Sequence, residues 1–166
     1  MKPKMKKILK EAAVFGVMLF VISNVISYLR SPVLESDHLP VIDATLIDGK
    51  RFKSTDMKGK PLVVHFWATW CPSCKAEASN IESISTEYEV LSIAVNSGTD
   101  EALHRYMTQN GYTFRVLNDR QSKWAEKFKV DVFPTTFIYD AKGTLKFTEV
   151  GYTSLLGFKS RLGVLK

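Results

Sequence analysis

The chain is poor in cysteine, with Cys71 and Cys74 alone among its 166 residues, and it has three histidines. A structural zinc site takes four ligands, which these scattered residues do not readily supply, so no metal or organic cofactor is expected. Net positive charge is small beyond the start, because five lysines within the first eleven residues supply most of the net charge of +6. The remaining balance gives no support to a nucleic-acid-binding role.

Long apolar runs are missing except for one, over residues 12–29. These 18 residues carry no charge, and at about 1.5 Å per helical residue they nearly cross a hydrocarbon core of about 30 Å. Because lysines precede the run and a single Arg30 follows it, residues 1–11 are expected to be a basic cytoplasmic tail. No clear A-x-A site ends the run, so we favour a retained transmembrane anchor over a cleaved signal peptide.

This anchor predicts a single-pass protein of the bacterial inner membrane. Residues 30–38 contain a proline and mixed polar residues, which is typical of a tether. Residues 39–166 would then form one folded domain on the periplasmic or extracytoplasmic side. The apolar pattern of this domain alternates between strand and helix periods. Strands are predicted over 41–46, 51–53, 62–67, 90–96, 113–117, 137–139 and 145–150, and helices over 99–110 and 122–128 and from Pro72 and Ser154.

The two cysteines form a CxxC motif where the strand predicted over 62–67 gives way to a helix. Pro72 suits the first helical position, which places Cys71 at the helix N-terminus. Unpaired backbone N–H groups and the positive end of the helix dipole stabilise a thiolate there. Cys74 lies one turn further on the same face, where it can form a disulfide with Cys71. We favour a redox-active pair over a structural disulfide or part of a zinc site.

At these residues the sequence resembles the thioredoxin superfamily, and more closely its membrane-tethered TlpA/ResA branch. The matching residues are FWATWCPSC, then Glu77 three residues after Cys74, then Val132-Phe133-Pro134-Thr135-Thr136 downstream. That branch includes the cytochrome c maturation and copper-sensitivity-suppressor thiol oxidoreductases. The resemblance implies an α/β thioredoxin-like fold, with a central mixed sheet flanked by helices and an N-terminal β-hairpin extension.

The resemblance also implies roles for residues around the cysteines. Pro134 would be cis and lie against the CxxC, with Phe133 offering backbone groups to an extended substrate. Thr135 would belong to the same substrate-binding segment. Trp70, adjacent to Cys71, is assigned a mixed role in packing and substrate contact. Glu77 would exchange a proton with Cys74, the alternative being a solvated helix charge.

His65 departs from thioredoxin, which has a buried aspartate six residues before the first cysteine. A proton relay and a satisfied core histidine are both open, because strand alternation does not show which face is buried.

The predicted activity is thiol:disulfide exchange with exported proteins that carry cysteine pairs. Pro72 and Ser73 replace the histidine found between the cysteines of strongly oxidising relatives, so we favour a reductase over a disulfide oxidase or isomerase. The resemblance implies an integral-membrane thiol electron donor. A copper chaperone is disfavoured, because that family has CxxxC, and a thiol peroxidase is disfavoured because Ala68 occupies the place of its threonine.

Overall fold

The structure is a computed structural model that describes residues 3–57 and 59–165. Met1 and Lys2 of the predicted tail, Lys58, and Lys166 at the predicted domain end lie outside the described residues, as do the side chains of Pro3, Lys4, Lys6, Leu19, Phe20 and Ser23. The helices are α1 (Pro3–Arg30), α2 (Pro72–Ser85), α3 (Asp100–Asn110), α4 (Lys123–Lys127) and α5 (Leu155–Gly163), with a 3-10 turn at Ser54–Met57. The strands are β1 (Asp43–Thr45), β2 (Arg51–Lys53), β3 (Leu62–Trp67), β4 (Glu89–Val95), β5 (Arg115–Asp119), β6 (Thr135–Tyr139) and β7 (Leu145–Val150).

Five strands form the central sheet in the order β5-β4-β3-β6-β7. β3 pairs in parallel with β4, and β4 with β5, whereas β6 and β7 are antiparallel to their neighbours. The sheet is therefore mixed, as predicted. β3 lies at its centre, and all six of its residues are buried, which explains why LVVHFW is an almost continuous apolar run. The strand that leads into the CxxC is thus paired along both edges and fully buried.

Helices and the hairpin cover opposite faces of this sheet. Val63 and Trp67 of β3 pack in one core cluster with Ile81 of α2 and Phe158 of α5. The alternating residues of β3 pack in a second cluster with the β1–β2 hairpin and α4. Phe66 belongs to this second cluster, with its ring centroid 5.0 Å from that of Phe128. Two covered faces are the layer arrangement that buries a central strand on both sides.

The N-terminal hairpin is formed by β1 and β2, which pair antiparallel from Asp43 opposite Lys53 to Thr45 opposite Arg51. Gly49 sits in the turn with φ of 80°, a conformation that favours glycine. The end of the predicted tether over 30–38 also pairs with the domain, because the carbonyl of Asp37 accepts the backbone N–H of Leu145 at 2.6 Å. The contact pattern places the start of this compact unit at Pro32.

The predicted boundaries match the observed ones within two residues, and β5 shows one cause of the remaining differences. The apolar pattern predicted a strand over 113–117, but β5 begins at Arg115. The backbone N–H groups of Thr113 and Phe114 donate to Glu82 of α2, at 2.8 and 3.2 Å. A side chain from another element therefore takes the donors at this end of the predicted strand. Residue pattern alone contains no signal for that contact.

α1 belongs to a second unit that ends at Ser31 and is described by itself. The run over 12–29 is helical, as expected of a spanning segment. The further prediction of one N-terminal transmembrane helix is not supported: within residues 3–57 and 59–165, no helix is long and apolar enough to cross a membrane.

Candidate active site

Cys71 and Cys74 form a disulfide across the first turn of α2. Cys71 is the N-cap residue with extended backbone angles, and its Sγ accepts the backbone N–H of Cys74 at 3.2 Å. Pro72 occupies the start of the helix, as the sequence predicted. The first turn therefore directs a backbone N–H, which has no partner within the helix, at the Cys71 sulfur. This favours a negative charge on that atom once the disulfide is opened.

The segment around Pro134 lies against this disulfide. The Phe133–Pro134 peptide bond is cis, which confirms what the resemblance implied. The carbonyl oxygen of Phe133 lies 3.7 Å from Cys71 Sγ and accepts the hydroxyl of Ser73 at 3.3 Å. The Ser73 hydroxyl is also 3.2 Å from Cys71 Sγ, so the CxxC and the loop before β6 meet at one point.

The other two residues assigned to substrate binding differ in accessibility. Trp70 is 58% exposed, and its ring meets that of Phe133 edge to face at 5.8 Å. Thr135 is buried, and its hydroxyl donates to the carbonyl of Val132 at 2.8 Å, which holds the turn before β6. An accessible apolar rim beside the disulfide is therefore formed by Trp70 and the half-buried Phe133, while the Thr135 side chain supports it from inside.

Glu77 is fully buried and is not a solvated helix charge. It lies one turn beyond Cys74 on α2. Its Oε2 accepts the backbone N–H of Thr153 at 2.6 Å. Burial raises the pKa of Glu77 to about 8, against the opposing effect of that hydrogen bond, and the nearby Glu149 raises it further. A carboxyl group that is mostly protonated at neutral pH is therefore buried one turn along α2 from Cys74.

His65 faces α2, which answers the question that strand alternation left open. It is buried, and its Nδ1 lies 2.9 Å from the Thr136 hydroxyl oxygen and 3.7 Å from Glu77 Oε1. Burial lowers the pKa of His65 to about 3. At neutral pH the imidazole and Glu77 therefore face each other uncharged, and they do not form an ion pair.

Sequence reasoning missed the partners that hold Glu77. Thr153 comes from the loop before α5, and Asn80 of α2 fastens that loop by donating to the carbonyl of Thr153 at 3.0 Å and to the hydroxyl of Tyr152 at 3.3 Å. These residues lie more than 70 positions apart in sequence from their partners. No motif marks them, and only the packing of α5 beside α2 brings them to the site. Within the part of the chain that the structure describes, no group of three or more histidine, cysteine or acidic residues could hold a metal ion.

The sequence profile of the AhpC/TSA family matches residues 36–148. The chain belongs to the AhpC/TSA family. This match runs from before β1 into β7, and it includes both cysteines and Pro134. The predicted thioredoxin-like α/β fold is confirmed by this family and by a solved thioredoxin structure from Streptococcus pneumoniae.

Relatives of this AhpC/TSA chain include named thiol oxidoreductases. A thioredoxin-like protein of Haemophilus influenzae is 31% identical over 161 residues, covering 96% of this chain and 95% of that protein. The thiol-disulfide oxidoreductase ResA of Bacillus subtilis is 29% identical over 128 residues, covering 75% of this chain and 72% of that protein. The exposed lipoprotein thioredoxin of Streptococcus pneumoniae strain TIGR4 is a solved structure with 26% identity and a TM-score of 0.68, covering 76% of this chain and 100% of that one. The chain is a protein-disulfide oxidoreductase of this family.

Proposed function

We propose that this oxidoreductase reduces disulfides in exported proteins, with Cys71 as the nucleophile and Cys74 as the resolving thiol. The observation that carries the proposal is the position of Cys71 Sγ at the head of α2, against the Phe133 carbonyl. A sulfur at a helix N-terminus is favoured as the thiolate, and a neighbouring backbone carbonyl lies where an extended substrate strand would pair.

The exchange proceeds in two steps that balance in atoms and electrons. The Cys71 thiolate attacks one sulfur of a substrate disulfide, forms a mixed disulfide and releases the other substrate sulfur as a thiolate. Cys74 then loses its proton and attacks Cys71 Sγ. The mixed disulfide breaks, the second substrate sulfur leaves as a thiolate, and the Cys71–Cys74 disulfide forms. The substrate gains two electrons and the enzyme loses them.

Glu77 is proposed as the proton acceptor and donor for Cys74. Its carboxylate takes the proton that Cys74 loses when the disulfide closes, and its acid form returns a proton when Cys74 leaves as the disulfide opens. Because the pKa of Glu77 is about 8, both forms exist near neutral pH. Substrate would lie across the rim formed by Trp70 and Phe133, with Pro134 at its base and Thr135 holding the turn.

The direction of exchange is tested by the equilibrium reduction potential of the full chain in detergent against a glutathione or dithiothreitol buffer. We expect a value near or below about −220 mV, in the range of thioredoxin and glutaredoxins. The support is Ser73, whose hydroxyl lies 3.2 Å from Cys71 Sγ. Strongly oxidising relatives have a histidine between their cysteines, and this chain has none there. A value near about −120 mV would identify an oxidant and contradict the reductase proposal.

We propose further that the catalytic domain acts outside the cytoplasm. One structural relative is described as an exposed lipoprotein, and the lysine-rich start followed by an uncharged run over 12–29 is typical of an export signal or anchor. Alkaline phosphatase folds only where its disulfides form, so a fusion after residue 38 is expected to be active. A matched fusion lacking residues 1–29 is expected to be inactive. Equal activity of the two fusions would contradict export.

The same fusion distinguishes the two fates of the N-terminal segment. A retained anchor gives a product of full mass in the membrane fraction, while a cleaved signal peptide gives a shorter product. With the domain outside, a membrane protein with reactive thiols is the proposed electron donor, as the resemblance to the TlpA/ResA branch implies. Substrate proteins with oxidised cysteine pairs complete the cycle.

A further inference from the structure

A row of buried polar side chains crosses the sheet beneath α2. His65 on β3 is paired in register with Ser92 on β4 and with Thr136 on β6, and Thr136 is paired with Glu149 on β7. His65, Ser92 and Thr136 are each no more than 2% exposed. A polar row in the middle of an apolar core costs free energy unless its members bond to one another or serve a further role.

The geometry of Glu77 places its acid proton on the side of this row. Oε2 is occupied as an acceptor by the Thr153 N–H, so the proton of the neutral carboxyl group lies on Oε1. Oε1 is buried and has no hydrogen-bond partner among the described residues, and the nearest ring nitrogen is His65 Nδ1 at 3.7 Å. A movement of about 1 Å brings this pair within hydrogen-bond distance.

We infer that His65 is a positioning residue for Glu77. Its Nδ1 accepts a hydrogen bond from the protonated carboxyl group, which keeps that group protonated and oriented for Cys74. This inference rests on the proposed role of Glu77. The Thr136 hydroxyl, 2.9 Å from the same nitrogen, holds the ring and can rotate. It donates to Nδ1 when Glu77 has lost its proton and turns away when Glu77 has regained it.

This arrangement acts when the disulfide is opened. An attacking thiolate bonds to Cys71 Sγ, the S–S bond breaks, and its electron pair goes to Cys74 Sγ, which takes the proton from Glu77. The carboxylate that remains faces the unprotonated Nδ1, which offers it no donor, so Glu77 is driven to recover a proton. His65 thereby favours the state of Glu77 that is ready to protonate the leaving sulfur.

Other groups that face Glu77 are few and can be tested separately. Glu149 on β7 is paired with Arg161 of α5, and burial raises the pKa of Glu149 as well. Thr153 supplies a backbone donor, and Ser92 has a buried hydroxyl without a hydrogen-bond partner among the described residues. Ser92→Ala is therefore a matched control in the same row, and Glu149→Gln removes the other titrating carboxyl group.

The test is the pH dependence of disulfide opening by dithiothreitol in the full chain, corrected for the thiolate fraction of the reagent. We expect His65→Phe to open about tenfold more slowly than the parent at pH 7, and the ratio to approach one above pH 9, where Glu77 has lost its proton in both. His65→Gln, whose amide oxygen can accept, is expected to recover part of the rate. Ser92→Ala is expected to keep the parental profile, and Glu149→Gln is expected to keep its shape with the midpoint moved to lower pH, because Glu149 raises the pKa of Glu77. Equal rates at pH 7, or a reduction that is the same at every pH, would overturn the inference.

A measurement on the unmodified chain keeps the inference testable if His65→Phe does not fold. In the oxidised protein, the ¹⁵N shift of His65 Nδ1 is expected to change with the same midpoint as the ¹³C shift of the Glu77 carboxyl carbon, as the donor to Nδ1 changes. A Glu77 titration with no response at His65 would overturn the inference while leaving the role of Glu77 intact. A Glu77→Gln variant with unchanged opening kinetics would instead contradict the proposed function.

Discussion

Cys71→Ala is expected to reduce disulfide exchange to the level of buffer without enzyme, whereas Cys74→Ala is expected to accumulate mixed disulfides with substrate. The physical reason is the asymmetry of the first turn of α2. Both cysteines are buried, at 4% and 1% exposed, but it is Cys71 Sγ that receives the Cys74 backbone N–H and lies beside the Phe133 carbonyl. The first sulfur is therefore the one proposed to exchange with a partner from outside.

The measurement combines turnover of a disulfide substrate with non-reducing gel analysis after acid quenching. Mixed disulfides of Cys74→Ala should disappear on addition of dithiothreitol. The double variant Cys71→Ala, Cys74→Ala is the matched control, since the chain has no other cysteine. Exchange by Cys71→Ala at a substantial fraction of the parental rate, or trapping by that variant in place of Cys74→Ala, would contradict the assignment of the two roles.

Raising the pH from 6.5 to 8 is expected to lower the free energy of unfolding of the oxidised protein by about 1 kcal/mol, because the slope of about 1.4 kcal/mol per pH unit from Glu77 weakens as its pKa is approached and His65 offsets part of the loss. The cause is Glu77, whose pKa rises from 4.5 to about 8 in the folded state. Between these values the folded state keeps a proton that the unfolded chain has released, so stability falls with rising pH.

His65 acts in the opposite sense. Its pKa falls from 6.5 to about 3 in the folded state, so the unfolded chain binds the extra proton in that window and stability is lost as the pH falls. Between pH 4.5 and about 7.5 the two slopes oppose one another, and at higher pH Glu77 acts alone of the two. Glu149, whose pKa burial also raises, adds in the same direction as Glu77.

Glu77→Gln tests this linkage, because an amide keeps an oxygen to accept the Thr153 N–H and cannot ionise. Urea unfolding of the variant is expected to show little change between pH 6.5 and 8, and its stability relative to the parent should grow as the pH rises. Glu149→Gln is the matched control and should retain most of the decline. A parental protein with flat stability across this range, or a Glu77→Gln variant that still shows the decline, would contradict the raised pKa.

Local sequence determined the elements that carry the cysteines. Leu62–Trp67 is a continuous apolar run because β3 is covered on both faces, and the helix start at Pro72 follows from the backbone of proline. The helix predicted over 99–110 is observed as α3, with Thr99 and Gly111 as its two caps, since capping depends on residues a few positions apart. The family motif then added Pro134, whose cis bond no local pattern indicates.

Tertiary structure alone decided what surrounds the second cysteine. A glutamate on a helix surface is usually solvated, and Glu77 is buried because α5 packs against α2 and the preceding loop supplies the Thr153 N–H. The face of β3 on which His65 lies, and its pairing with Thr136, depend on sheet register. Sheet register brings together residues 71 positions apart in sequence. Neither strand sequence shows this pairing, since the side chains of each strand alternate in the same way whichever face is turned to α2. The sequence therefore specified the dithiol, and the fold specified the buried carboxyl group and imidazole near it.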